Sequence, residues 1–244
     1  MARPSLLRNK RCPMTAPTRF AAVRTIIEAF LAQPDAEALR AAAADLGVLD
    51  GRDIALGQDD EAEALLDYYL FAASAENGRP RIHAFIAAPP TTLSPDGRAL
   101  FAALAQTHFS IFERRPSTHP NQGGVLVRDI FSSDATYLLE EGIHLPMARD
   151  GDYAAMRLVQ VGDRYVHTGA PMALTASLVK GLRSRKAIAA VANQRIKAPT
   201  AAASLEDASH AIDDRALLKA IFAARAAAAP AKTRLKKPKR SLKR

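Results

Sequence analysis

The sequence predicts an α+β protein with an N-terminal helical segment, a small antiparallel β-sheet or barrel domain, and C-terminal helices. Three observations predict it. Apolar residues recur at three- and four-residue spacing from Thr18 to Leu46 and again from Asp59 to Phe71. The period then switches, and five short β-rich runs follow between Phe109 and His167, with turn residues between them. Beyond Met172 an Ala-rich helical pattern returns.

In chain order, Val23, Ile26, Ile27, Phe30 and Leu31 make the first apolar stripe. Gln33-Pro34-Asp35 interrupts it, because proline is excluded from a helix interior. Asp35 reads as the N-cap of a helix over 36–46 and Gly47 as its stop. The polar stretch 50–58 reads as a loop. In the next helix Asp60, Glu61 and Glu63 crowd the first turn, where the helix dipole favours anions, and Ala62, Leu65, Leu66, Tyr69 and Leu70 form the stripe. A short helix covers 81–87. Ser94-Pro95 starts another, expected to reach about His108.

The five β runs are 109–113, 125–131, 136–139, 156–161 and 164–167, with Pro171 and Met172 ending the sheet. Val125, Val127 and Ile130 are expected to fill the β-domain core. Helix is expected again over 173–192 and 205–229, and Pro230 stops it. The organisation is therefore a disordered basic lead-in 1–17, a helical segment 18–108, a β domain 109–172, a helical segment 173–230 with a linker near 197–204, and a disordered basic tail 231–244.

The net charge of +9 is unevenly placed. Residues 1–24 carry six bases and no acid. The tail carries Lys232, Arg234, Lys236, Lys237, Lys239, Arg240, Lys243 and Arg244, again with no acid. That leaves 20 of the 34 basic residues facing all 25 acids, a body of about −5. Basic ends on an acidic body suggest segments that bind polyanions.

The single cysteine, Cys12, excludes an internal disulfide and a cysteine-based zinc site within the chain. No window approaches a membrane-spanning length of apolar residues, and Ser5-Leu6-Leu7 is too short for a signal-peptide core. The expected location is cytoplasmic.

The pieces Leu65-Leu66-Asp67-Tyr68-Tyr69-Leu70-Phe71, Leu93-Ser94-Pro95-Asp96, Phe109-Ser110-Ile111-Phe112-Glu113, Gly124-Val125-Leu126-Val127-Arg128-Asp129-Ile130 and Gly151-Asp152-Tyr153-Ala154-Ala155-Met156-Arg157 occur in this order. Over about 65–174 the chain resembles a family of uncharacterised bacterial proteins that often end in a SEC-C zinc motif. The resemblance implies a helical segment feeding a small β domain, and no activity. The cysteine-rich motif is absent here and a basic tail stands in its place, so no zinc role is carried over.

No catalytic motif stands out. His83, His108, His119, His144, His167 and His210 lack the three-to-five-residue spacing of helical zinc ligands. Gly123-Gly124 precedes a strand and reads as a turn, not as a phosphate cradle. Arg128 and Asp129 are charges on an apolar strand. They point to opposite faces, so one is expected to be buried with a partner such as Arg157. A structural ion pair outweighs a ligand-contacting acid there.

The expectation is a non-catalytic binding or accessory protein, without a cofactor or bound metal, associating non-specifically with nucleic acid or another polyanion through the tail. Each tail Lys or Arg that meets a phosphate releases condensed counterion. The alternatives are an enzyme with a site between the helical and β parts, and an interaction module using the C-terminal helix.

Overall fold

The computed structural model describes residues 19–32, 34–73, 80–87, 95–116, 123–132, 135–140, 143–184 and 214–228. Helix α1 (Arg19–Leu31) buries Val23, Ile27 and Phe30, the i, i+4, i+7 stripe read from the sequence. Helix α2 (Ala36–Leu46) starts where Asp35 Oδ1 accepts the N–H groups of Glu37 and Ala38 at 3.0 and 3.2 Å. It ends at Gly47, whose left-handed φ of 75° lets its N–H and that of Val48 reach back to the last turn.

The stretch read as a loop after α2 contains a tight hairpin, β1 (Leu49–Asp50) with β2 (Asp53–Ile54). Two-residue strands have no alternation to detect. Helix α3 (Asp59–Phe71) opens with Glu61 accepting the N–H groups of Gly57 and Gln58 at 2.6 and 3.3 Å. Its buried set is wider than one stripe and includes Glu61 and Asp67, because α3 is enclosed by neighbours on several sides.

Helices α4 (Arg81–Ala87) and α5 (Pro95–Leu104) follow. Helix α5 stops before His108, because β3 (His108–Arg115) already pairs with β6 there. Then come β4 (Val125–Asp129), β5 (Thr136–Leu139), β6 (Tyr153–Val161), β7 (Arg164–His167) and β8 (Met172–Leu174). Ala173 and Leu174, assigned to helix from the sequence, lie in β8 and pair with Ala154 and Tyr153. Helix α6 (Ala176–Arg183) starts only after them, with Thr175 Oγ1 accepting Leu178 N–H. Sheet pairing overrides the Ala-rich propensity at that point. Helix α7 (Asp214–Ala228) closes the described chain.

Strands β3, β4, β5, β7 and β6 follow one another round a ring, and β6 pairs back to β3. All these pairings are antiparallel except one, where β5 runs parallel to β7 with Leu139 beside Tyr165. This is the Greek-key arrangement of five-stranded OB-type barrels. Strand β8 extends the edge of β6 beyond β7.

Alternation divides the barrel's side chains between two cores. Phe112, Val127, Leu139, Ala154, Met156 and Leu158 cluster inside the barrel with Met147. Phe109, Ile111, Ala155, Val159 and Val166 point outward into the helical cluster with α1, α2, α3 and α7. The expected core residues divide likewise. Val127 is fully buried, Val125 packs against the barrel interior, and Ile130 packs against the helical cluster.

Candidate functional site

The eight tail bases, Lys232 to Arg244, lie outside the described residues. Two bases of the N-terminal basic stretch do not. Arg19 and Arg24 belong to α1, where Arg19 meets Asp163 at 3.0 Å and Arg24 meets Glu28 at 3.4 Å. Those two charges are part of the folded body.

A buried polar cluster forms where helices meet barrel. Arg157 stands on β6, on the outward row that otherwise carries Ala155 and Val159. Its side chain is 1% exposed, and Nε donates to both oxygens of Asp67 at 3.2 and 3.0 Å. Nη1 donates to Asp214 at 2.6 Å and to Thr107 Oγ1 at 3.2 Å. The guanidinium lies over the rings of Phe71 and Phe109, 4.6 and 5.4 Å from their centroids. Thr168 donates its hydroxyl to Asp67 at 2.8 Å. One guanidinium thus ties together α3, β6, α7, the start of β3 and the β7–β8 connection. Burial alone would lower the Arg157 pKa, but Asp67 and then Asp214 outweigh it and hold the group protonated.

One of Arg128 and Asp129 was expected to be buried with a partner such as Arg157; Asp129 is the buried one, but Arg157 is not its partner. Asp129 faces the barrel interior and accepts from Ser110 Oγ at 2.7 Å and Phe131 N–H at 2.9 Å. His108 Nε2 lies 2.7 Å from its other oxygen. The reason is register. Asp129 lies opposite Phe112 on β3, the row that also holds His108 and Ser110, whereas Arg157 is on an outward row of β6. This arrangement places the carboxylate between hydroxyl and imidazole. A nucleophilic triad needs the imidazole between them, taking the hydroxyl proton. The cluster is built to fix β3 to β4.

A third cluster sits at the helical surface. Asp45 on α2 accepts from Tyr68, Arg215 and Lys219, with Arg215 at 2.8 Å. Burial raises the Asp45 pKa, but the hydrogen bonds from Arg215, Lys219 and Tyr68 outweigh it and hold the carboxyl below the usual range. Further along α7, Arg225 clasps Asp60 through two bonds of 2.9 Å and Gln58 through one of 2.6 Å.

Sequence reasoning missed Asp67 and misassigned Arg157. The signal available was a lone charge in each of two apolar runs, Leu65 to Phe71 and Ala154 to Val161. Neither run says which opposite charge it will meet.

Comparison with curated proteins and with solved structures finds no match. The model of a family of unknown function, DUF7986, matches residues 22–196, a stretch that runs from within α1 through α6 and takes in the whole barrel. The match spans well over half of the chain, and the protein belongs to that family.

Proposed function

We propose that this is a non-catalytic binding or accessory protein that associates with nucleic acid, with the tail 232–244 as its sequence-independent contact. The observation that carries this reading is the separation of charge. Eight bases without an acid follow a body whose charges are largely engaged with one another. The barrel adds support, since OB-type barrels recurrently bind oligonucleotides or oligosaccharides, although topology by itself assigns no ligand. Among the described residues no helix is long and apolar enough to cross a membrane. A cytoplasmic location and kinship with the SEC-C-associated bacterial proteins belong to the same proposal.

The interaction-module alternative required exposed apolar residues on the last helix. Leu217, Leu218, Ile221 and Phe222 are instead buried against the protein's own core.

The test is a titration of labelled duplex at several salt concentrations, using the full chain and a truncation after Pro230. About six phosphate contacts give a log–log salt slope near −5, and the truncation should abolish most binding. Equal binding by both proteins, or none by either at low salt, refutes the reading.

A further inference from the structure

The barrel's outer surface is unequally covered. Helices pack on β3, β6, β7 and β8, whereas no helix among the described residues packs extensively on β4 or β5. Register fixes what that open sector displays. Glu113 of β3 lies opposite Arg128 of β4, which lies opposite Thr136 of β5. One row along, Arg115 lies opposite Leu126, which lies opposite Leu138. Directly paired residues share a face, so the six form a grid three strands wide and two rows deep. Its rows are separated by about 7 Å and its strands by about 5 Å.

The chemistry of the grid is specific. Leu126 and Leu138 are adjacent and partly exposed, and neither is part of the two core clusters among the described residues. Both arginines lean on one carboxylate, with Arg115 at 3.3 Å and Arg128 at 2.5 Å from Glu113. Their side chains remain 43% and 39% exposed, and the trio carries one net positive charge. A guanidinium has five donors, so each arginine keeps capacity for a further acceptor. Glu113 is itself nearly buried, and its carboxylate offsets part of the charge of the two guanidinium groups.

We propose that this β3–β4–β5 face is a platform for single-stranded nucleic acid. It rests on the nucleic-acid reading above and assigns strand preference to the folded body. Arg115 and Arg128 meet phosphates or stack their planes on bases. The flat Leu126–Leu138 pair takes the apolar face of an unstacked base. Duplex hides its base faces, so it gains only the charge term. Charge complementarity selects the occupant: two exposed guanidinium groups beside an apolar strip suit a chain of alternating phosphates and flat rings.

The test uses the full-length chain and fluorescence anisotropy with oligo-U, oligo-dT and a duplex of equal length. The expected result is tighter binding of both single strands than of duplex. Arg115→Gln with Arg128→Gln should cut single-strand affinity about tenfold at low salt and reduce the steepness of its salt slope by about 1.4, while duplex binding changes less. Glu113→Gln should raise single-strand affinity, an effect that misfolding does not mimic. Replacing the eight tail bases with glutamine should weaken single strand and duplex alike and leave the preference intact. If that variant binds like the wild type, the tail reading falls and the platform stands. The platform is overturned if the wild type shows no single-strand preference, or if the double variant keeps that preference at an unchanged melting temperature. Should the double variant melt early, Glu113→Gln decides, and no gain in affinity overturns the platform. Equal competition by a polyglutamate peptide also overturns it, since that is charge attraction alone.

Discussion

Arg157 donates through Nε to both carboxylate oxygens of Asp67, joining β6 to α3 across 90 residues of sequence. Both side chains are almost completely buried. A buried pair is weak evidence for net stability, but removing one partner strands the other in a low dielectric. Arg157→Ala should therefore destabilise the fold by about 3–5 kcal/mol, measured by urea denaturation. Arg157→Met with Asp67→Leu, which removes both charges and keeps apolar volume, should cost much less. A double variant as unstable as Arg157→Ala would show that the contacts to Thr107 and Asp214 matter more than the pair.

His167 makes a pH prediction. Its ring is buried, with Nδ1 accepting Gly169 N–H at 3.0 Å and Nε2 donating to the His144 carbonyl at 3.0 Å. Burial, helped by the charge of Arg24, pushes its pKa down to about 4. In the unfolded chain it titrates near 6.5. Between those values the unfolded state binds the extra proton. The stabilising contribution is therefore complete above about pH 6.5 and is lost as pH falls towards 4. By pH 5 the loss should be about 2 kcal/mol. His167→Gln should flatten the stability profile between pH 6.5 and 5. An unchanged slope would place the titration elsewhere.

Local features of this fold were legible in the sequence, and non-local ones were not. Asp35 and Gly47 could be assigned because a cap acts within four residues of itself. The five strand runs could be assigned because alternation and turn residues are local. The parallel pairing at Leu139 and Tyr165 has no local signature, since it depends on where two distant strands meet. Strand β8 is too short to show a period, and its Ala173-Leu174 favours helix in isolation. Arg157 is the clearest case. The sequence offered it only as an example of a partner for a charge on the apolar strand 125–131, yet pairing it with Asp129 required both to face the same side of the barrel wall, and they face opposite sides.

Gly124 tests the close approach of β4 to β5. Its φ is +93°, a region that L side chains rarely adopt, and a Cβ built there would lie 2.1 Å from the Leu139 carbonyl oxygen. That oxygen is backbone on β5 and cannot swing aside. Gly124→Ala should lower the melting temperature by several degrees, corresponding to more than about 1 kcal/mol. Gly151→Ala is the control. Its φ of +86° imposes similar backbone strain, but no atom lies within 4 Å of the added methyl. Equal losses at both positions would mean that φ alone, and not the approach of β5, sets the requirement at Gly124.

The division of the barrel's side chains between two cores can be tested by additivity. Val127 is fully buried inside the barrel, whereas Ile130, three residues on, packs against the helical cluster. Val127→Ala should cost about 1–4 kcal/mol, and Val125→Ala less, because Val125 is only partly buried. Ile130→Ala empties space on the other side of the wall. Substitutions that share no partners usually add to within about 0.5 kcal/mol. Val127→Ala and Ile130→Ala should therefore be additive by urea denaturation. Val127→Ala and Met156→Ala share the barrel interior and should couple by more than that. Strong coupling in the first pair, or none in the second, would mean that the wall between the cores is not where β4 places it. A loss below half a kcal/mol at Val127 would remove β4 from the core altogether.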